Sequence, residues 1–164
     1  QFCEIIEELC QKRWIDYIRK NSSNAPILNK LPNLEQFMFE PSRNQLNAVA
    51  NVLVELQDCK CFYCNKPMRK GNYAVDHFIP WSMYPSDTGH NFVLADSSCN
   101  SKKSNLLASD EFLYKWQERN EEQDLIIVDR ISVLGFLTDK DRSHKVAEWA
   151  YVKAKNNGYI YFSS

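Results

Sequence analysis

Apolar residues recur at helical spacing near both ends of the chain, but this period is lost between Cys59 and Asn105. The first amphipathic pattern predicts a helix over residues 2–20, followed by a polar loop over residues 21–26. A short helical turn is predicted within residues 31–39. A second amphipathic helix is then predicted up to Gln57, with Ser42 as its N-cap.

Beyond the central stretch, helices are predicted over residues 100–107, 109–120 and 140–156, with an apolar segment of less definite structure over residues 125–137. Short β-like runs occupy residues 73–75 and 92–94, and residues 159–162 suggest a terminal strand. We therefore expect a mainly helical α+β fold in a single domain of residues 1–164. Helical parts over residues 1–57 and 108–164 would flank a small core over residues 58–107.

The composition favours an ordinary globular domain, since 44% of the 164 residues are hydrophobic and can close one core. The longest apolar run, residues 125–128, is far too short to cross a bilayer. The chain begins with Gln1 and has no apolar stretch flanked by positive charge, so we expect no secretory signal. These features predict a soluble, cytoplasmic segment excised from a longer chain.

Charge alone does not predict binding to nucleic acid, because the formal net charge is −1. Residues 59–70 carry four basic residues and no acid, whereas residues 110–124 carry six acids and two basic residues. Both patches are typical of ordinary solvated surface. Any contact with nucleic acid must therefore come from a local arrangement of residues.

A Cys-x-x-Cys pair indicates a metal site. Cys61 and Cys64 can reach one tetrahedral zinc ion from a tight turn, and Cys99 is a third candidate ligand. The fourth ligand is open: Asp96 is the first candidate, and Cys59 is the substitute. A thioredoxin-type redox pair is the alternative, but it needs a helix directly after the second cysteine, where this chain soon has a proline and a glycine.

An acid and an imidazole stand side by side in the run Val-Asp-His-Phe-Ile-Pro-Trp-Ser, at the end of a predicted strand. On a regular strand Asp76 and His77 would face opposite ways, but a bend over residues 78–80 could bring both to one phosphate. Asp76 would then hold a cation, and His77 would take a proton from water. Considered alone, such a pair also fits a helix cap or a core histidine.

The segment 91–104 predicts a strand, a serine-rich turn and a helix that starts near Asn100. Together with the preceding strand, this gives a strand–loop–strand–helix unit. The helix N-terminus can direct the amide of Asn100 towards the loop that carries Asp76, while its dipole favours an anionic phosphate. Lys102 and Lys103 would add positive charge beside that phosphate as nucleic-acid contacts.

Taken in order, these motifs resemble the ββα-metal core of HNH endonucleases, from Cys61 to about Leu107: Cys-x-x-Cys, Asp-His-x-Ile-Pro, Asn-x-Val-Leu and Cys-Asn-x-x-Lys-Ser. The run around Asp76 also resembles HNH proteins of bacterial restriction and antiviral defence. Asn100 stands where many members have histidine. In this respect the chain is similar to the phage junction resolvase and to the HNH domain of RNA-guided nucleases.

The resemblance implies a metal-dependent endonuclease that hydrolyses phosphodiester bonds of DNA. In such an enzyme Asp76 and Asn100 would bind one catalytic Mg²⁺ or Mn²⁺, and His77 would be the general base. Asn91 would orient the loop carrying His77 through hydrogen bonds. A structural Zn²⁺ would lie on the cysteines, where Asp96 departs from the usual set of four thiols.

Two other functions remain open at this point. One is a zinc-stabilised nucleic-acid binding module without turnover, which would tend to lack part of the Asp–His–Asn set that this chain retains complete. The other is a purely structural zinc-stapled helical domain, which leaves the Asp-His-x-Ile-Pro run unexplained. For the nuclease, DNA is the expected partner, and target choice would lie in the rest of a longer chain or in a partner protein.

Overall fold

The structure is a computed structural model that describes residues 2–28, 34, 43–69 and 71–163, in two compact units over residues 1–45 and 46–164. In the first unit, helix α1 (Phe2–Lys20) confirms the helix predicted there. A 3-10 turn (Ser22–Asn24) and helix α2 (Ala25–Leu28) replace part of the predicted loop. The predicted turn within residues 31–39 lies outside the described residues, apart from Leu34, which is helical.

The second unit holds most of helix α3 (Arg43–Leu56) and all of the elements that follow it. These are strands β1 (Tyr73–His77) and β2 (Phe92–Asp96) and helices α4 (Ser97–Lys103), α5 (Asp110–Ser132) and α6 (Lys140–Asn156). The mainly helical α+β class is thereby confirmed. The predicted N-cap Ser42 lies outside the described residues. Among the helices that the structure describes, none has the length and apolar character needed to span a membrane.

The two strands form an antiparallel pair in which Tyr73 lies opposite Asp96 and His77 lies opposite Phe92. The first four residues of β2 are buried, so this strand forms part of the hydrophobic core. Helix α4 follows β2 without a loop and packs against both strands. The chain therefore forms the strand–loop–strand–helix unit that the sequence predicts.

Helix α4 begins at Ser97, three residues before the predicted start near Asn100, and it ends at Lys103 instead of Leu107. The early start follows from the side chain of Asp96, which accepts a hydrogen bond from the Ser98 backbone N–H at 2.9 Å and so caps the helix. Asn100 is consequently the fourth residue of α4 and does not lie at its N-terminus.

Helix α5 is longer than predicted and takes in the first part of the apolar segment 125–137. Its buried apolar positions continue at helical spacing to the end: Phe112, Trp116, Ile127 and Ile131. Helix α6 matches its prediction over residues 140–156. The strand predicted over residues 159–162 is wrong, because Phe162 makes only an isolated bridge with Ala108.

A tight 3-10 turn (Gly89–Asn91) directly precedes β2 and lies against α5. Trp116 donates its indole N–H to the His90 carbonyl at 2.9 Å, and Arg119 donates to the same carbonyl at 3.1 Å. A Cβ on Gly89 would lie only 2.9 Å from the Ile131 Cγ2 atom and 3.0 Å from the Thr138 Cγ2 atom. Glycine is therefore the residue that lets this turn approach α5.

We expect Gly89→Ala to lower the free energy of unfolding by about 1–3 kcal/mol, because the added methyl overpacks the contact with α5. Urea denaturation followed by circular dichroism measures this change. Glu118→Ala, on the exposed face of the same helix, is the matched control and should stay within about 0.5 kcal/mol of wild type. A wild-type unfolding midpoint for Gly89→Ala would contradict the close approach.

Candidate active site

Three cysteine thiols form a group that could hold a metal ion. The sulfurs of Cys61, Cys64 and Cys99 all lie within 4.8 Å of one another. The first two sit on a turn closed by a hydrogen bond from the Asn65 N–H to the Cys61 carbonyl at 2.9 Å, while Cys99 comes from α4. Residues far apart in the sequence are thus brought together in the arrangement that the Cys-x-x-Cys motif predicts.

Neither candidate for a fourth ligand belongs to this group. The carboxylate of Asp96 accepts hydrogen bonds from the backbone N–H and the hydroxyl of Ser98 and from the amide of Asn72. The hydrogen bonds from Ser98 lower the pKa of Asp96, so the carboxylate serves as a charged helix cap. The thiol of Cys59 donates to the Met68 carbonyl at 3.2 Å. The cap on α4 explains why Asp96 lies beside the thiols but outside their group.

Burial, together with the neighbouring thiols, raises the pKa of Cys99 to about 12. The sulfur therefore keeps its proton at neutral pH when no cation is nearby. Because thiolates are the metal-binding form of cysteine, a metal ion at this group must displace that proton. Metal binding here is consequently linked to proton release.

Asp76 lies near the end of β1 and is buried, with only 7% of its surface exposed. The Tyr63 hydroxyl donates to one carboxylate oxygen at 2.6 Å. The Lys103 ammonium lies 3.1 Å from that oxygen and 3.3 Å from the other. Burial, reinforced by the Asp76 charge, raises the pKa of Tyr63 well above its usual range, so its hydroxyl remains a hydrogen-bond donor.

The prediction that Lys103 contacts nucleic acid is wrong. Its side chain is fully buried and cannot contact a nucleic acid from that position. Its ammonium donates to the His77 carbonyl at 2.8 Å as well as to Asp76. Lys103 follows Cys99 by four residues, so the two share the inner face of α4, whereas Lys102 falls on the exposed side. Burial lowers the pKa of Lys103, and Asp76 opposes that shift.

His77 is the last residue of β1, and its imidazole remains partly accessible to solvent, with 23% of the side chain exposed. The Nε2 atom lies 2.6 Å from an oxygen of Asp87. The rings of Trp81 and Phe92 flank the imidazole edge-on, at centroid distances of 5.4 and 5.2 Å. The sequence did not indicate Asp87 or Tyr63 as site residues, since Asp87 lies in a loop and Tyr63 in a turn, and neither segment has a periodic pattern.

Asn91 holds the loop that follows His77. Its side-chain oxygen accepts from the Ile79 N–H at 2.8 Å, and its amide donates to the Ile79 carbonyl at 3.0 Å. The Asn91 carbonyl also accepts from the Phe78 N–H at 2.8 Å. The loop over residues 78–91 is therefore closed at its base by one buried side chain and one backbone bond. Asn100 lies half-buried on α4, and β1 and β2 pack against that helix.

Comparison with known proteins finds one family model and two Cas9 proteins that are similar to parts of this chain. Residues 61–109 match the family model described as HNH endonuclease, which confirms the resemblance seen in the motifs. The CRISPR-associated endonuclease Cas9 of Corynebacterium diphtheriae is 30% identical over 91 residues, which is 55% of this chain and 8% of that protein. The crystal structure of the type II-C Cas9 enzyme from Actinomyces naeslundii aligns with a TM-score of 0.39 at 19% identity, over 81% of this chain and 16% of that chain.

We expect Lys103→Met to lower the free energy of unfolding by about 3–5 kcal/mol, because it leaves the buried Asp76 carboxylate without its cation. Urea denaturation at neutral pH measures the loss. Lys102→Met makes the same change at the exposed neighbour and should unfold like wild type. Equal stability of the two variants would mean that the buried ion pair does not support the fold.

Proposed function

We propose that the chain, whose residues 61–109 match the HNH endonuclease family, is a metal-dependent nuclease that hydrolyses phosphodiester bonds of DNA. In this proposal His77 is the general base, and Asp76 and Asn100 hold one divalent ion. One observation carries it: the buried Lys103 ammonium contacts both the Asp76 carboxylate and the His77 carbonyl. Through that contact, α4 binds both Asp76 and the backbone of His77, and the same helix contains Asn100.

The surroundings of His77 support its role as the base. A general base must reach water, and the His77 side chain keeps about a quarter of its surface exposed while its backbone is fixed in β1. The Trp81 and Phe92 rings restrict its rotation. An imidazole that is held on two sides and open to solvent is well suited to take a proton from an incoming water molecule.

The reaction in this proposal is hydrolysis by direct attack of water. His77 takes one proton from water, and the remaining hydroxide oxygen forms a bond to phosphorus. The bond between phosphorus and the 3'-oxygen breaks, and that oxygen leaves with the bonding electrons and takes up a proton. The products carry a 5'-phosphate and a 3'-hydroxyl, and His77 returns its proton to solvent.

The residues present fit a hard divalent cation. Mg²⁺ prefers oxygen ligands, which the Asp76 carboxylate and the Asn100 amide can supply. An ionised carboxylate has about four acceptor positions. The hydrogen bonds from Tyr63 and Lys103 account for two of them, one on each oxygen, so capacity for an ion remains. When bound, the ion would stabilise the negative charge that develops on the phosphoryl group and on the leaving oxygen.

We also propose that the thiol group of Cys61, Cys64 and Cys99 holds a structural Zn²⁺. Close-set thiolates favour soft ions such as zinc over magnesium, and the three sulfurs already lie within reach of one ion. Cys61 belongs to the turn that also carries Tyr63, which contacts Asp76. Zinc at this position would therefore stabilise the support of the proposed catalytic carboxylate.

The DNA partner is proposed from the nuclease chemistry and from the exposed Lys102, which lies on α4 and can contact a phosphate. The chain spans 8% of the length of the Cas9 relative that it matches. We propose that target choice is supplied by another part of a longer chain or by a partner protein.

His77→Ala should reduce nicking of supercoiled plasmid in Mg²⁺ or Mn²⁺ by about 100-fold or more, while DNA binding changes little. Agarose gels measure nicking, and fluorescence anisotropy with a labelled duplex measures binding. His144→Ala removes a histidine on α6 and is the matched control that should cleave like wild type. Undiminished cleavage by His77→Ala would reject the mechanism. Binding without nicking by wild type would favour the non-catalytic module.

Purified wild type should contain about one zinc per chain, and Cys99→Ser should lose most of it, because one thiolate ligand is removed. Elemental analysis measures the metal, and thermal unfolding should show a lower midpoint for the variant. Cys10→Ser, at an exposed cysteine outside the thiol group, should keep both the zinc and the wild-type midpoint. Equal zinc content in the two variants would exclude the thiol group as the site.

A further inference from the structure

Among the residues that the structure describes, Asp87 brings a carboxylate against the imidazole of His77. Its carboxylate oxygen lies 2.6 Å from Nε2, although the two residues are ten positions apart in the sequence. The aromatic rings of Trp81 and Phe92 also lie beside the imidazole. The Nε2 edge of the imidazole is therefore occupied by one specific partner, and two aromatic rings lie edge-on beside it.

The backbone beside Asp87 is anchored to the loop that precedes α6. Thr88 forms an isolated parallel β-bridge with Leu137, and the Gly89 N–H donates to the Leu137 carbonyl at 2.8 Å. Thr88 is buried, and its carbonyl accepts from the Asn91 N–H at 2.9 Å. The carboxylate is therefore presented from a backbone that is fixed on its C-terminal side.

We propose that Asp87 is a positioning residue for His77, an inference that rests on the proposed role of His77 as the general base. An ionised carboxylate can only accept a hydrogen bond, so the shared proton must reside on Nε2 of the imidazole. A neutral imidazole with its proton on Nε2 has a free lone pair on Nδ1. Asp87 thereby selects the tautomer in which Nδ1 takes the proton from water, and it fixes the orientation of the ring.

A carboxylate that orients a base is a recurring device, because the base must present the correct nitrogen to the substrate. An ordinary surface ion pair would be the other explanation of this contact, and such pairs contribute only about 0–1 kcal/mol to stability. The two explanations differ in what the pair controls. A positioning carboxylate governs the tautomer and the turnover rate, whereas a surface pair governs neither.

The first test is NMR of the full chain labelled with ¹⁵N-histidine, with the His77→Ala spectrum used to assign the His77 signals. In wild type at neutral pH we expect the Nε2–H tautomer to predominate. In Asp87→Ala we expect the two tautomers to mix. Asp87→Glu, which keeps the carboxylate, should restore the wild-type signature at least in part. This readout does not depend on nuclease activity.

The second test is steady-state nicking of supercoiled plasmid in Mg²⁺. Asp87→Ala should lower kcat by about tenfold or more while leaving KM nearly unchanged, because the interaction acts on the base and not on DNA binding. The side-chain amide of Asp87→Asn can donate a hydrogen bond to Nε2 and so permit the Nδ1–H tautomer. This variant should therefore lose as much kcat as Asp87→Ala. Ser86→Ala, in the same loop, is the matched control and should cleave like wild type.

Three results separate the possibilities. A His77 signal dominated by the Nδ1–H tautomer in wild type overturns the positioning role. So does a wild-type kcat in Asp87→Ala. If wild type does not nick plasmid at all, the proposed nuclease function fails, and the tautomer measurement alone then decides whether Asp87 orients the imidazole.

Discussion

The buried ion pair of Lys103 and Asp76 is the interaction on which the rest of the site depends. Taking both charges out of water is costly, and the cost is offset only because each partner finds further polar contacts. Asp76 also accepts from Tyr63, and Lys103 also donates to the His77 carbonyl. The result is a network that fixes α4 to β1, so that the geometry of the proposed catalytic residues follows from a requirement of folding.

The thiol group and the ion pair are connected at two points. Cys61 and Tyr63 lie in one turn, and Cys99 and Lys103 lie on one face of α4. A displacement of the turn would therefore disturb both the metal-binding sulfurs and the hydrogen bond to Asp76. This double connection gives a physical reason for the proposed structural ion: it would reduce the freedom of the parts that hold the Asp76 carboxylate.

A second layer of support comes from α5, outside the segment that carries the motifs. Trp116 and Arg119 donate to the His90 carbonyl, and Arg119 also donates to the Phe92 carbonyl at 3.1 Å. These bonds fix the entry to β2, next to the side chain of Asn91 that closes the loop after His77. The Trp116 ring also stacks on the Phe78 ring, with 4.8 Å between the ring centroids. Helix α5 thus helps to hold the loop that follows His77 in place.

The sequence by itself determined the regular elements with strong local patterns, such as α1, α6 and the two strands, and it indicated the residue types of the site through their spacing. It could not decide which of Lys102 and Lys103 is buried, because the two are neighbours that differ only in the side of α4 on which they lie. The start of α4, which sets those sides, depends on the cap made by Asp96. Nor could it find Asp87, whose contact with His77 joins a strand end to a loop without periodicity. Local pattern specifies helices and strands through short-range hydrogen bonds and side-chain spacing. Burial and the pairing of charges depend on contacts between distant segments, and only the tertiary structure decides those.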